Sequence, residues 1–243
     1  MIRRTIVDFF QIKRERGGSQ VIAIAIDGPA GAGKSTIARL TAKKLGYLYV
    51  DTGALYRTVG YAAWQRGIDP ADPDRVAAML PEITVDLRFD QDGVQQTLLN
   101  GENVSAEIRS PEMSRYASQV SAHKAVRDYL LWLQRKLAKE HNVIMDGRDI
   151  GTTVLPDANL KIYLTATPED RARRRFDEYL SKGVSVDYDK LLNDIKQRDY
   201  DDSHREISPL RRAEDAKLVD TSGNTLEESL ELMEAMIRRH LGI

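Results

Sequence analysis

The chain has no cysteine, which removes disulfide bridges and thiolate metal sites and agrees with a reducing cytoplasm. It also lacks any apolar run near the roughly 20 residues that a membrane-spanning helix needs. The expectation is therefore a cytoplasmic protein with no membrane partner. The opening residues MIRRTIVDFFQIKRERGGSQ carry two early arginines, but Asp8 interrupts the apolar stretch and no small-residue cleavage site follows. They do not read as a secretory leader. Ile2, Ile6, Phe9 or Phe10 and Lys13 would share a face of a short helix, and Gly17-Gly18-Ser19 reads as a linker. Residues 1–20 are accordingly expected as an N-terminal extension. There is no internal repeat and no low-complexity segment. The formal net charge is only −1, so the field of the whole molecule does not call for nucleic acid as a partner.

What is present is an ordinary folded composition, with 42% hydrophobic and 30% charged residues in a chain of 243. That length can bury one sizeable α/β core with a small inserted lobe. Short apolar runs recur: VIAIAI (Val21 to Ile26), LYVD (Leu48 to Asp51), NVIMD (Asn142 to Asp146), LKIYLTA (Leu160 to Ala166) and AKLVDTS (Ala216 to Ser222). Each ends at a polar or glycine-rich turn, and helical patterns lie between them. Such alternation predicts a parallel sheet with helices on both faces. Between Pro81 and Arg109 the rhythm changes. Ile83, Val85, Leu87 and Phe89 alternate, Asp92-Gly93 is a hairpin signal, Val94 to Leu99 gives a second strand, and Asn100-Gly101 marks another turn. A small antiparallel insert is expected there.

The first apolar run leads directly into Gly28-Pro29-Ala30-Gly31-Ala32-Gly33-Lys34-Ser35, followed by Thr36 and a helical pattern. This matches G-x-x-x-x-G-K-[ST] in the strand–loop–helix setting that the motif requires. The glycines let backbone N–H groups converge on phosphate oxygens, and the helix N-terminus adds positive potential. Residues 28–36 are thus expected to hold ATP, with Lys34 reaching the β- and γ-phosphates and the Ser35 hydroxyl on Mg²⁺. A guanine-reading N-K-x-D segment is missing, as is a well-placed DxxG, which disfavours a GTPase switch.

Arginine is abundant near the ends of predicted strands and the starts of helices: Arg57, Arg109, Arg127, Arg148, Arg171, Arg173, Arg174, Arg175, Arg198 and Arg205. An acceptor that is itself a phosphate brings extra negative charge beside ATP, and planar guanidinium forks suit it. In PEDRARRRFDEYL, Thr167 is a good N-cap, Pro168 sits at the first helical position, and Arg171, Arg174 and Arg175 share a face. Like charges there repel unless an anion joins them, which is what a lid over ATP phosphates would supply; neighbouring Asp and Glu side chains are the alternative. Asp146 ends its strand as VIMD and is expected to orient Mg²⁺ through water. Arg198, Asp202 and Arg205 are spaced to share a helical face.

Together these segments resemble a family. GPAGAGKST, VDTGALYR (50–57), NGENVSAEIR (100–109), ASQVSAHKAVR (117–127), MDGRDIGTTVLPDA (145–158), KIYLTATPEDRARRR (161–175) and KQRDYDDSHREISPL (196–210) are similar, in that order, to the bacterial cytidylate kinases, from about Val21 onward. The resemblance implies ATP-dependent, Mg²⁺-dependent phosphorylation of CMP and dCMP by a monomer on a five-stranded parallel P-loop core. It implies a core over 21–60, 111–170 and 190–243, a monophosphate-binding lobe at about 61–110 and a lid at about 171–189. It places Arg57 and Arg148 on the CMP phosphate, Ser118, Arg127 and Asp149 around cytosine, and Arg198 with Asp202 on the sugar. Lys34, Arg148, Arg171, Arg174 and Arg175 would carry the chemistry. Cytosine offers an amino donor where uracil has an oxygen acceptor, so a carboxylate such as Asp149 would favour the first and repel the second. The readings in competition are a kinase for another small acceptor (AMP, UMP or a hydroxy acid) and a P-loop regulator that uses its arginine-rich helix for a partner. The N-terminal extension departs from the family pattern.

Overall fold

A computed structural model describes residues 21–91, 93–181 and 183–242. The extension expected over residues 1–20, and Asp92 of the expected hairpin turn, lie outside the described residues. In chain order the elements are β1 (Ala23–Asp27), α1 (Lys34–Leu45), β2 (Leu48–Asp51), α2 (Thr52–Gln65), α3 (Pro73–Met79), β3 (Val85–Phe89), β4 (Gln95–Leu99), β5 (Glu102–Asn103), α4 (Pro111–Val120), α5 (Lys124–Glu140), β6 (Val143–Gly147), β7 (Leu160–Thr165), α6 (Pro168–Ser181), α7 (Tyr188–His204), β8 (Lys217–Asp220) and α8 (Leu226–Leu241). The chain divides into two compact units, one containing Asp51–Asn142 and the other Ala23–Val50 with Val143–Ile243. Among the described residues no helix is long and apolar enough to cross a membrane.

The second unit is built on the five-stranded sheet, ordered β2-β6-β1-β7-β8. Its central strand, β1, runs parallel to β6 and β7, with Ile24 opposite Ile144 on one side and Leu160 on the other. Ile24, Ala25 and Ile26 are fully buried, as are Val143, Ile144 and Met145. That explains why these strands read as continuous apolar runs rather than alternating ones. β1 is also where the strand order reverses, and ligands of open α/β sheets bind beyond the strand ends at such a point. Each C-terminal strand end carries polar residues there: Asp27, Asp146 and Thr165.

The first unit holds the antiparallel sheet β3-β4-β5. Val85 pairs with Leu99 and Phe89 with Gln95, so the expected hairpin is present. Its third strand, β5, was not expected. It forms because Asn100 and Gly101 both adopt left-handed backbone angles, φ 53° and 87°, and turn the chain back on β4. Leu87, Leu98 and Leu99 are buried, as are Leu55 and Val59 of α2, Val120 of α4 and Leu130 of α5 in the same unit. Both tryptophans of the chain, Trp64 on α2 and Trp132 on α5, lie in this unit and are exposed, 46% and 67%.

Candidate active site

The phosphate loop leaves β1 at Gly28 and enters α1 at Gly33. Gly28, Gly31 and Gly33 have φ of 149°, 77° and 85°, which side chains with a Cβ rarely adopt. At Gly28 a second constraint operates: a Cβ would stand 1.9 Å from the main-chain oxygen of Leu164 on β7. The first glycine is therefore demanded by packing against the sheet before any phosphate arrives. Gly28→Ala is expected to lower folding stability by about 3 kcal/mol, from backbone strain and overpacking together. Urea titration measures it, and wild-type stability in the variant would refute the packing argument.

α1 begins without a side-chain cap and without an acidic residue in its first turn, so its leading N–H groups are available to an anion. Lys34 is buried and donates to the Pro29 carbonyl at 2.7 Å. Burial, and then the nearby Arg148 guanidinium, push its ammonium down to about 7, against the pull of Asp146, Asp202 and Asp27. Ser35 Oγ donates to Asp146 Oδ2 at 2.8 Å, and the Tyr49 hydroxyl donates to Asp146 Oδ1 at 3.0 Å. No cluster of three or more His, Cys, Asp or Glu side chains able to hold a metal occurs among the described residues. A hydroxyl beside one carboxylate nevertheless fits Mg²⁺, which keeps several waters and shares phosphate oxygens rather than filling an all-protein cage.

On α6 the structure sorts the three arginines. Thr167 Oγ1 accepts from the Asp170 amide at 3.1 Å, so the expected N-cap is present. Of Arg171, Arg174 and Arg175, only Arg171 has a carboxylate partner among the described residues. Arg171 is 2% exposed; its Nη1 donates to Asp199 Oδ1 at 2.9 Å and to Ala30 O at 3.0 Å, and its Nε donates to Ala166 O at 2.9 Å. A carboxylate from α7 neutralises it, and its fork holds the phosphate loop. Arg174 donates to Thr221 O at 2.6 Å, and Arg175 reaches the Tyr179 hydroxyl at 3.5 Å.

The turn after β6 carries the next group. Arg148 Nε donates to Asp202 Oδ2 at 2.8 Å. Burial disfavours both charges, but each outweighs that for the other: Arg148 is held above, and Asp202 below, its ordinary pKa. Asp149 is buried and lies 3.8 Å from Arg205 Nη2. Arg205 was expected on the face of a helix with Arg198 and Asp202. α7 instead ends at His204, and Arg205 takes extended backbone, with its Nε donating to Ser208 O at 2.6 Å. That departure from the helix is what brings its guanidinium to Asp149.

Asp27, which sequence reasoning did not single out, lies beneath this turn. It is pushed up to about 6 by burial, partly offset by the amides of Gly151 and Ile150 that it accepts; Asp149 pushes it further up and Lys34 pulls it down. A carboxyl raised on folding contributes stability that is full below its unfolded value, about 3.8, and is lost as pH rises through about 6. The stability of the wild type minus that of Asp27→Asn should therefore fall by about 2–3 kcal/mol between pH 4 and pH 7, the equivalent of two pKa units. Denaturant titrations at both pH values test this, and a difference independent of pH would contradict it.

In the first unit, Arg57 pairs with Asp51 at 2.8 Å while its Nε is buried without a hydrogen-bond partner. Arg127 lies in the first turn of α5; its Nη1 donates to Ser121 O at 3.2 Å, and its guanidinium lies 5.7 Å from the Tyr56 ring centroid. Ser118, half-buried on α4, accepts from Ser121 Oγ through its main-chain oxygen at 2.8 Å. Asp51, Asp199 and Tyr49 join Asp27 as partners that the sequence did not announce; of these, only Asp51 carried a local sign, as the N-cap of α2.

A desolvated lysine in a glycine loop, a hydroxyl–carboxylate pair and a surplus of guanidinium groups are equipment for moving a phosphoryl group, and with this sheet order they define a P-loop kinase. The comparisons narrow the class. The family model described as cytidylate kinase matches residues 24–239, and the chain belongs to that family. It is 51% identical to a cytidylate kinase of Caldicellulosiruptor saccharolyticus over 91% of this chain and 97% of that protein. It is 45% identical to a cytidylate kinase of Bacillus subtilis over 85% of this chain and 92% of that protein. A crystal structure of an uncharacterized protein from Eubacterium ventriosum shares the fold, with a TM-score of 0.51 and 13% identity over 89% of this chain and 98% of that one.

Proposed function

We propose that this protein transfers the γ-phosphoryl group of ATP to CMP and dCMP, giving CDP and dCDP. The observation that supports it most directly is the adjacency of the two chemistries: Arg148 and Asp202, on the turn after β6 and on α7, act electrostatically on Lys34 of the phosphate loop. A guanidinium suited to an acceptor phosphate is thus near enough to act on the ammonium suited to the donor. The acceptor is already an anion at neutral pH, so no protein base is required, and catalysis reduces to positioning and charge neutralisation during in-line displacement.

In this reading Lys34 meets the β- and γ-phosphates, and the amides of residues 28–36 cradle them. Ser35 and Asp146 would hold Mg²⁺, which when bound neutralises phosphate charge. Arg148 receives the CMP phosphate, Asp149 accepts from the cytosine amino group, and Arg198 with Asp202 serves the sugar. Arg57, Ser118 and Arg127 are further acceptor residues, with residues 61–110 as the monophosphate-binding lobe. Residues 171–189 act as the lid, in which Arg174 and Arg175 supply charge to the transferred group. Arg171, tied to Ala30 and Asp199, reaches that group only by exchanging these partners. A cytoplasmic monomer completes the proposal.

The test is ADP formation from ATP and Mg²⁺ with CMP, dCMP, UMP, AMP or no acceptor. Fastest turnover with CMP and dCMP is expected; equal turnover with AMP, or hydrolysis without acceptor, would sink the proposal. Asp149→Ala should shrink the preference for CMP over UMP at least about tenfold, the value of one hydrogen bond to a charged group. Stability will fall as well, because Arg205 loses its carboxylate. The selectivity ratio is therefore the decisive readout, and an undiminished CMP preference would remove Asp149 from base reading.

A further inference from the structure

We propose that Asp27 is a positioning residue for the acceptor nucleotide, anchoring from beneath the turn that presents Arg148 and Asp149. The inference rests on the reading of those two residues given above. Asp27 ends β1, directly before the phosphate loop, and stands opposite Gly147 in the register of β1 with β6. Its Oδ1 accepts the Ile150 amide and its Oδ2 the Gly151 amide, each at 2.7 Å. Those amides open the single wide helical turn Ile150–Val154 that follows the Arg148-Asp149 pair.

The N–H groups at the start of a helical turn ordinarily need a cap, and the residue placed to give one is the one just before. Here that residue is Asp149, and its side chain makes no cap hydrogen bond. Asp27 performs the capping from another strand, more than 100 residues away in sequence. The consequence is a division of labour. Because the turn is capped from below, the Asp149 carboxylate does not serve as its cap and faces Arg205 at 3.8 Å. If Asp149 had to cap its own turn, it would not be aimed at a base. Gly151 completes the fit: a Cβ there would lie 3.3 Å from Asp27 Oδ2 and 3.2 Å from Lys161 Cδ, tighter than ordinary contact.

The arrangement predicts that loosening Asp27 disturbs the acceptor more than ATP. Asn retains one acceptor oxygen and turns an NH₂ toward the other amide. In the full-length protein, Asp27→Asn should raise the KM for CMP, and the Kd for CMP by calorimetry, by about tenfold or more, the scale of an ångström-level misplacement. The preference for CMP over UMP should fall in parallel, with the KM for ATP within about threefold of wild type. Gly151→Ala presses on the same carboxylate oxygen and should shift the same quantities in the same direction, by less; it carries the test if Asp27→Asn does not fold. Folded variants with a lowered Tm but an unmoved Kd for CMP and an unmoved CMP-to-UMP ratio would overturn the inference and leave Asp27 a purely structural group. A wild type that does not prefer CMP would instead overturn the functional reading, and the inference with it.

Discussion

Lys34→Ala will lower kcat for phosphoryl transfer by about 10³-fold, while Tm stays within a few degrees of wild type. The size follows from the role proposed for the lysine: in a water-poor site, removing one preorganised group aimed at developing charge typically costs 10²–10³ or more. The indifference of Tm follows from where it sits. Its ammonium is buried, holds a single main-chain carbonyl at 2.7 Å, and is pushed well below its usual pKa. A cation in that state adds little to the fold, because burial and Arg148 outweigh the pull of Asp146, Asp202 and Asp27 until phosphates arrive. A coupled ADP assay and a thermal melt make the comparison. More than a tenth of wild-type activity in the variant would show that Lys34 is not the donor-side cation.

Arg148→Ala should damage both activity and fold. With Arg148 as the proposed clamp on the acceptor phosphate, its loss should reduce kcat/KM for CMP by about 10³-fold. The same change leaves Asp202, 7% exposed in its side chain, without the guanidinium that donates to it at 2.8 Å. Breaking a buried pair from one side costs about 3–5 kcal/mol, and the lower figure is expected because Arg198 and Arg205 also favour the Asp202 charge. The two effects can be separated. Adding Asp202→Asn to Arg148→Ala removes the stranded charge and should recover most of the stability without recovering activity. A double variant as unstable as Arg148→Ala alone would show that the pair is not what stabilises this turn.

Which parts of this architecture were legible depended on how far apart in sequence the interacting groups lie. The phosphate loop was readable because its function is written in consecutive residues: three glycines set the backbone, and the lysine and serine follow on one helix turn. The strands were readable because burial on both faces leaves an uninterrupted apolar run. The N-cap at Thr167 needed only its own neighbours. The partners of the arginines were not readable. Arg171 meets Asp199 and Ala30, 28 and 141 residues away, through the packing of α6 on α7 and on the loop. Arg205 depended on where α7 stops, and one residue of helix more or less changes which way a side chain points. Asp27 was hidden for the same reason. An acidic residue at the end of a buried strand gives no local sign that two amides will come to it from another strand's turn. The resemblance to the family supplied roles for residues whose partners physics alone could not pair.

The placement of Trp64 and Trp132 makes the protein its own spectroscopic instrument. Both indoles lie in the unit containing Asp51–Asn142, and the unit bearing the phosphate loop has none. Fluorescence excited at the red edge of the protein band therefore originates in the first unit alone, from two solvent-exposed emitters. Circular dichroism, by contrast, weighs the helices of both units. During denaturation the two signals will superimpose only where the units unfold as one, and any gap between them reads out how far the phosphate-loop unit stands or falls by itself.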